Sequence, residues 1–328
     1  MPRLLRELEV AIGAVRSAAQ VCQAVQANLV TEDTLRKKDR SPVTVADFAS
    51  QAVVGLSLAD AFGDDPMVAE EDAADLRTTS NQTVLGSVVA HVRSAVGELA
   101  PSMVLDAIDR GQAAGGSHDR FWTLDPIDGT KGFLRGQQYA IALALIERGS
   151  VVLGVLGCPN LPLPGSDRPG LLMTAVVDRG TEMLSLGEKF QDPAVVQVGQ
   201  IADLANARFC ESVESTHSDQ SQSAQIADLL GISREPYRID SQCKYAAVAC
   251  GDASIYLRLP TDENYREKIW DHAAGMLTVE AAGGKVTDIL GQRLDFSCGR
   301  QLENNQGIVA TNGYVHNRVI AAVAQVLS

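Results

Sequence analysis

Leu4, Leu8, Ala11, Val15, Ala18, Cys22 and Val25 recur at steps of three or four. That spacing predicts an amphipathic helix over residues 4 to 30, with an apolar stripe expected to cover a sheet. After the polar stretch TEDTLRKKDRSPVT, a second helical segment is expected to begin near Val45, run through Asp47, Ser50 and Gln51 towards Phe62, and stop at the turn Gly63-Asp64-Asp65-Pro66. Asp47 then falls in the first turn of that helix. Two short β-prone runs follow, Met67-Val68-Ala69 and Arg120-Phe121-Trp122-Thr123-Leu124. Each delivers carboxylates at its C-terminal end, Glu70-Glu71-Asp72 after one and Asp125 after the other, where strand ends hold side chains in fixed directions.

Tyr139 to Glu147 and Val151 to Cys158, joined by Arg148-Gly149-Ser150, read as an antiparallel hairpin, and LLMTAVVDRGTEML from Leu171 as another. The proline-rich stretch Pro159 to Ser166 between them is expected to be irregular. The second half offers strands at Arg208 to Cys210, Tyr237 to Ile239 and Ser254 to Leu259, and helices over Gln222 to Leu230 and from about Asp271 to Ala282. Gly283-Gly284 ends the last of these, because glycine accepts a left-handed C-cap cheaply. Strands alternating with helices make this half α/β.

The chain's 328 residues exceed what one hydrophobic core serves efficiently. Two packed halves are therefore expected, residues 1–206 as an α+β domain and 207–328 as an α/β domain. An apolar content of 45% and a charged content of 21% are those of an ordinary globular protein. The net charge of -13 argues against a nucleic-acid polymer as partner, since no general basic excess is present to displace counterions. An anionic small molecule stays compatible, because metal ions and a few Lys or Arg side chains can reverse the field inside one cleft. Six scattered cysteines without CxxC pairs fit reduced thiols. The N-terminus mixes Glu with Arg and lacks an unbroken apolar core, and no stretch approaches a membrane span. The expectation is a soluble monomer in the cytoplasm, or in an organelle if a transit segment has been removed.

The most informative stretch is Asp125-Pro126-Ile127-Asp128-Gly129-Thr130. Pro126 fixes a backbone angle and Gly129 permits a sharp turn, so two carboxylates can converge on one point, with a backbone carbonyl between them. Such a site suits Mg2+, a hard cation that takes oxygen ligands. Taken singly, Asp-Pro and Asp-Gly are turn formers, Glu70 is a solvated charge, Asp271 is a helix N-cap and Asp47 is a favoured first-turn acid. The combination with Glu70-Glu71-Asp72 and Trp270-Asp271 is what points to a metal site.

AEED at 69 to 72, LDPIDGTKGF at 124 to 133 and WDHAAG at 270 to 275 resemble the motifs of the Mg2+-dependent, Li+-sensitive phosphatases of the inositol monophosphatase superfamily. SPVTVADFASQA (41 to 52), GVLGCPNLPL (154 to 163), DSQCKYA (240 to 246) and YLRLP are similar to the plant and fungal branch acting on 3'(2'),5'-bisphosphate nucleotides. The resemblance implies a layered α-β-α-β-α sandwich of the inositol monophosphatase and fructose-1,6-bisphosphatase type. It further implies two or three Mg2+ ions held by Glu70, Asp125, Asp128, Asp271 and the carbonyl of Ile127, with Asp47 and Thr130 activating water. His217, Ser241, Lys244 and Arg258, with Gly129, Thr130 and Asp271, would contact the nucleotide. The implied reaction is hydrolysis of adenosine 3',5'-bisphosphate to AMP and phosphate, and also of 3'-phosphoadenosine 5'-phosphosulfate. The alternatives are an inositol polyphosphate 1-phosphatase and a non-catalytic nucleotide sensor. The sensor is disfavoured because Asp47, Glu70, Asp125, Asp128, Thr130 and Asp271 are all present.

Overall fold

A computed structural model describes residues 4–29, 41–116, 120–165, 168–187, 192–213, 220–260, 262 and 264–328. Strand alternation decides its layers. On β2 (Arg120–Asp128), Trp122 and Leu124 enter one apolar cluster and Phe121 the opposite one. On β3 (Ala140–Glu147), Ile141, Leu143 and Leu145 enter the first cluster while Ala140, Ala142 and Ala144 face the second. Both faces of this sheet are therefore covered, as period-two apolar alternation without a polar face requires.

The first sheet runs in the order β1 (Met67–Ala69), β2, β3, β4 (Ser150–Pro162), β5 (Pro169–Val176), β6 (Gly180–Ser185) and β7 (Ala194–Val196). Only β1 and β2 pair in parallel, which sets their C-terminal ends side by side. The second sheet has the order β11 (Lys285–Thr287), β12 (Ile308–Thr311), β10 (Ile255–Arg258), β8 (Phe209–Glu211) and β9 (Tyr237–Arg238).

One face of the first sheet carries α1 (Leu5–Leu29) and α2 (Ser41–Ala61), flanked by α3 (Gln82–Val96) and α4 (Pro101–Asp109). The short α5 (Thr130–Leu134) follows β2, and α6 (Gln220–Leu230) follows β8. Between the two sheets lie α7 (Cys243–Ala249) and α8 (Ala273–Ala281), with Tyr256, Ile308 and Ala310 closing over them from the second sheet. The far face of that sheet, through Phe209, Ile255, Leu257 and Val309, is covered by α6 and α9 (His316–Leu327). The result is the expected α-β-α-β-α sandwich. No helix among the described residues is long and apolar enough to cross a membrane.

Three local expectations are corrected. The second helix starts at Ser41, not near Val45, because proline is tolerated in a helix's first turn; Asp47 thus sits in the second turn and is only 8% exposed. Asp271 does not open a helix: it ends a 3-10 turn, Ile269–Asp271, and α8 begins at Ala273. The proline-rich stretch is strand as far as Pro162, which pairs with Pro169 after a register shift.

Small residues let the middle helix layer approach closely. A Cβ on Gly154 would lie 3.0 Å from the carbonyl oxygen of Ala274, and one on Gly275 would lie 2.1 Å from Cδ2 of Tyr245. Gly275 therefore sets the distance between α8, which follows the turn bearing Asp271, and α7, which carries Lys244. Gly275→Ala is expected to lower stability by about 1–3 kcal/mol through overpacking. Gly86→Ala, inside α3 with open space around the new methyl, should raise it by about 0.5–1 kcal/mol. Urea unfolding of the two variants beside the parent chain checks both signs.

Candidate active site

The parallel pairing of β1 with β2 brings Glu70, just beyond β1, to the side of Asp125 and Asp128. In a regular strand, residues three apart point to opposite faces. Here Asp125 pairs with Ala142 and Asp128 with Ala140, so one extra residue is accommodated, and this bulge turns both carboxylates to the same side. The sharp turn expected between them is thus a bulge within β2. Pro126 fits it because β1 ends opposite Leu124, leaving no ladder partner for the missing N–H on that side. Asp125 Oδ1 accepts from the Ile127 amide at 3.1 Å, which fixes the bulged backbone. Gly129 then turns left-handed (φ 94°) into α5, and a Cβ there would meet Ser241 Cβ at 2.8 Å.

Helix α2 braces both acidic segments from behind. Ser50 donates to the Pro126 carbonyl at 3.0 Å, while Gln51 donates to the Glu71 carbonyl at 2.6 Å and accepts from the Glu71 amide at 3.1 Å. Asp47 lies on the same helix face, one turn earlier.

A cavity of about 470 Å³ is lined by residues between Val43 and Leu134 and between Ser212 and Asp271. Its lining includes an acidic group, Glu70, Asp125, Asp128 and Asp271 with Ile127, which we term the floor, the residues Gly129 and Thr130, and Ser241, Lys244 and Arg258, which we term the wall. Asp47 is not among the lining residues, although Val43, one turn before it, is. His217 lies outside the described residues.

Several residues around this cavity escaped the sequence reading. The backbone amide of Gln242 donates to Asp128 Oδ2, and its side chain bonds the Trp270 carbonyl (2.8 Å) and the Gly275 amide (3.0 Å). One residue therefore ties the β2 bulge to the turn carrying Asp271. Ser241, at φ 65°, makes the bend that aims that amide. Arg135 pairs closely with Asp240, whose other oxygen accepts from the Val213 amide at 3.0 Å, linking the α5 segment to the second half. Glu267 joins Arg258 (2.8 Å) to His272 (3.1 Å), and Tyr256 lies under the Lys244 ammonium, 5.2 Å from ring centroid to Nζ. Period-two spacing, which puts Tyr256 beside Arg258 on one face of β10, was the available signal for Tyr256; nothing local marks Glu267.

Removal from bulk water, and then the charges of Asp271, Glu71 and Asp128, raise Glu70 to about 8. Burial first, then Asp271, raises Asp128 to about 6, against the opposing pull of Lys244, Arg258 and the Gln242 amide. Asp125 and Asp271 are raised for the same primary reason. Asp47 is lifted by burial, then by Glu71 and Glu70. An all-oxygen donor set this crowded fits a hard multivalent cation, which would offset the repulsion. Among the described residues, Glu267, Asp271 and His272 also converge within 4.8 Å. There, however, Glu267 Oε2 already serves Arg258 and His272.

Residues 4–328 match the profile of the inositol monophosphatase family. The chain is 44% identical to the 3'(2'),5'-bisphosphate nucleotidase of Schizosaccharomyces pombe, over 98% of this chain and 96% of that one. It is 45% identical to the 3'(2'),5'-bisphosphate nucleotidase of Oryza sativa, over 97% and 93%. Among solved structures, an inositol monophosphatase from Anabaena superposes with a TM-score of 0.64 at 21% identity, covering 98% of this chain and 96% of that one. One from Zymomonas mobilis gives 0.65 at 17% identity, covering 99% and 100%. These two show the fold.

Glu70 keeps its proton up to about pH 8 in the folded chain but only to its ordinary 4.5 when unfolded. The metal-free folded state thus holds more protons between those values, and its stability falls as pH rises through them. In EDTA the melting temperature should decline from roughly pH 5 to roughly pH 8, and Mg2+ should raise it and flatten the slope. A level metal-free profile, or no response to Mg2+, would contradict the cation site.

Proposed function

The chain belongs to the inositol monophosphatase family, and from that premise we propose that it removes the 3'-phosphate of adenosine 3',5'-bisphosphate, leaving AMP and inorganic phosphate. The observation that carries this reading is that one cavity is lined both by four carboxylates and by Lys244, Arg258 and Ser241. An acidic floor and a basic wall suit a substrate with two phosphates, one to be cut and one to be held. The names of the relatives supply the nucleotide. 3'-Phosphoadenosine 5'-phosphosulfate, whose second anionic group would meet the same wall, is the further substrate.

Glu70, Asp125, Asp128, Asp271 and the carbonyl of Ile127 would hold two or three Mg2+ ions. When bound, these supply a lowered pKa for water and neutralisation of the charge that builds on phosphate and leaving oxygen. The protein's own residues do the rest. Thr130 begins α5 on the cavity lining, where its hydroxyl can orient a water, and Asp47, buried behind that lining, would take the proton through the hydroxyl. Its burial beside Glu71 and Glu70 raises its proton affinity, which suits a general base. Lys244 contributes a point charge and Arg258 a planar fork to the second phosphate, and Ser241 a hydroxyl. Burial lowers the Lys244 ammonium, partly countered by Asp128, so an arriving phosphate dianion strengthens its charge.

Asp47→Asn should leave AMP binding within about twofold while cutting phosphate release by at least about 10²-fold, the usual scale for a positioned base. Calorimetry beside a phosphate assay measures both, and retained turnover would remove Asp47 from the mechanism. Parallel kinetics on adenosine 3',5'-bisphosphate and inositol 1,4-bisphosphate test the substrate. A clearly higher kcat/KM on the inositol compound would overturn the nucleotide reading.

A further inference from the structure

We propose that Glu267 is a positioning residue that fixes Arg258 as the reader of the second phosphate, so that preference for a bisphosphate over a monophosphate nucleotide depends on it. The inference rests on the nucleotide reading above.

Arg258 ends β10 with its side chain 28% exposed, on the cavity wall. Its Nε donates to Glu267 Oε2 at 2.8 Å, and one terminal nitrogen lies 3.7 Å from Asp271 Oδ2. Anchoring a guanidinium through Nε leaves the two terminal nitrogens as a fork, the geometry that matches phosphate. Glu267 is itself held. Its side chain is 5% exposed, and the same Oε2 meets His272 Nε2 at 3.1 Å, while Nδ1 of that ring lies 2.8 Å from the Tyr245 hydroxyl. With the proton on Nε2, the string is complete: Tyr245 donates to His272, His272 donates to Glu267, and Arg258 donates to Glu267.

Tyr245 also braces the other cation. Its ring meets Tyr256 edge to face at 5.1 Å, and Lys244 Nζ rests over Tyr256. The two cations assigned to the second phosphate thus share one buried support. Removing the charge of Glu267 would leave Asp271 as the anion near Arg258, and the fork would fold towards the floor, away from the second phosphate.

The test compares kcat/KM for adenosine 3',5'-bisphosphate with that for adenosine 3'-monophosphate, which keeps the reacting phosphate and lacks the second one. Glu267→Gln should lose about tenfold on the bisphosphate, mainly through KM, and change by no more than about twofold on the monophosphate. Tyr245→Phe, which removes only the hydroxyl, should move the same ratio by about threefold and covers the case in which Glu267→Gln fails to fold. Combining Glu267→Gln with Arg258→Ala should be no worse than Arg258→Ala alone, the non-additivity expected of residues acting through one group. Equal losses on both substrates, or additive losses in the double variant, would overturn the inference. A parent chain without preference for the bisphosphate overturns the nucleotide reading as well. A preference that survives Glu267→Gln and Tyr245→Phe overturns only the role of Glu267.

Discussion

Glu70, Asp125, Asp128 and Asp271 arrive from three separate stretches of chain at one spot, where removal from water raises the proton affinity of each and the neighbouring carboxylates raise Glu70, Asp125 and Asp128 further. Holding like charges together costs stability, so the surroundings must be stiff enough to prevent them from separating. The bulge in β2, the parallel β1–β2 pair, the Ser50 and Gln51 braces on α2 and the Gln242 cross-tie all serve that one requirement. Ser50 and Gln51 bond to backbone beside the carboxylates, whereas the Ile127 and Gln242 amides each hold one oxygen of Asp125 and Asp128.

The same demand explains why the middle helix layer is packed so closely. The turn bearing Asp271 precedes α8, and α8 reaches the first sheet through Gly154 and α7 through Gly275. Any larger side chain there would push Asp271 away from a floor built on the other half of the molecule. Arg300 adds a further tie: it bonds the carbonyls of Ala69 and Gly111 while its guanidinium lies 4.8 Å from the centroid of Trp270. It thus connects the residue before Glu70 to the residue before Asp271.

The wall of the cavity follows a different logic. Its cations are supported by buried neighbours of their own, Lys244 by Tyr256 and Arg258 by Glu267. The floor is electrostatically strained without a cation, whereas the Arg258–Glu267 pair is satisfied before any ligand arrives. The basic residues and the acidic group thus differ in what they lack, and residues far apart in the chain supply both.

The sequence by itself determined most of the elements and the chemical class, and the family resemblance implied the layers. The long stripe on α1 and the β-prone runs are local signals, and AEED, DPIDGT and WDHAAG gather the proposed ligands within a few residues each. The approximate positions of most strands and of the first helix were legible for the same reason. Only the tertiary structure decided how deep Asp47 sits, that the two aspartates of β2 meet through a bulge, and that Asp271 belongs to a 3-10 turn. It also revealed Gln242, Asp240 and Glu267, which look like ordinary polar residues along the chain. Helix starts and bulges depend on which hydrogen bonds the neighbouring elements leave open, and the burial of a charge depends on what packs over it. Those neighbours lie far away in sequence, so no local pattern encodes them.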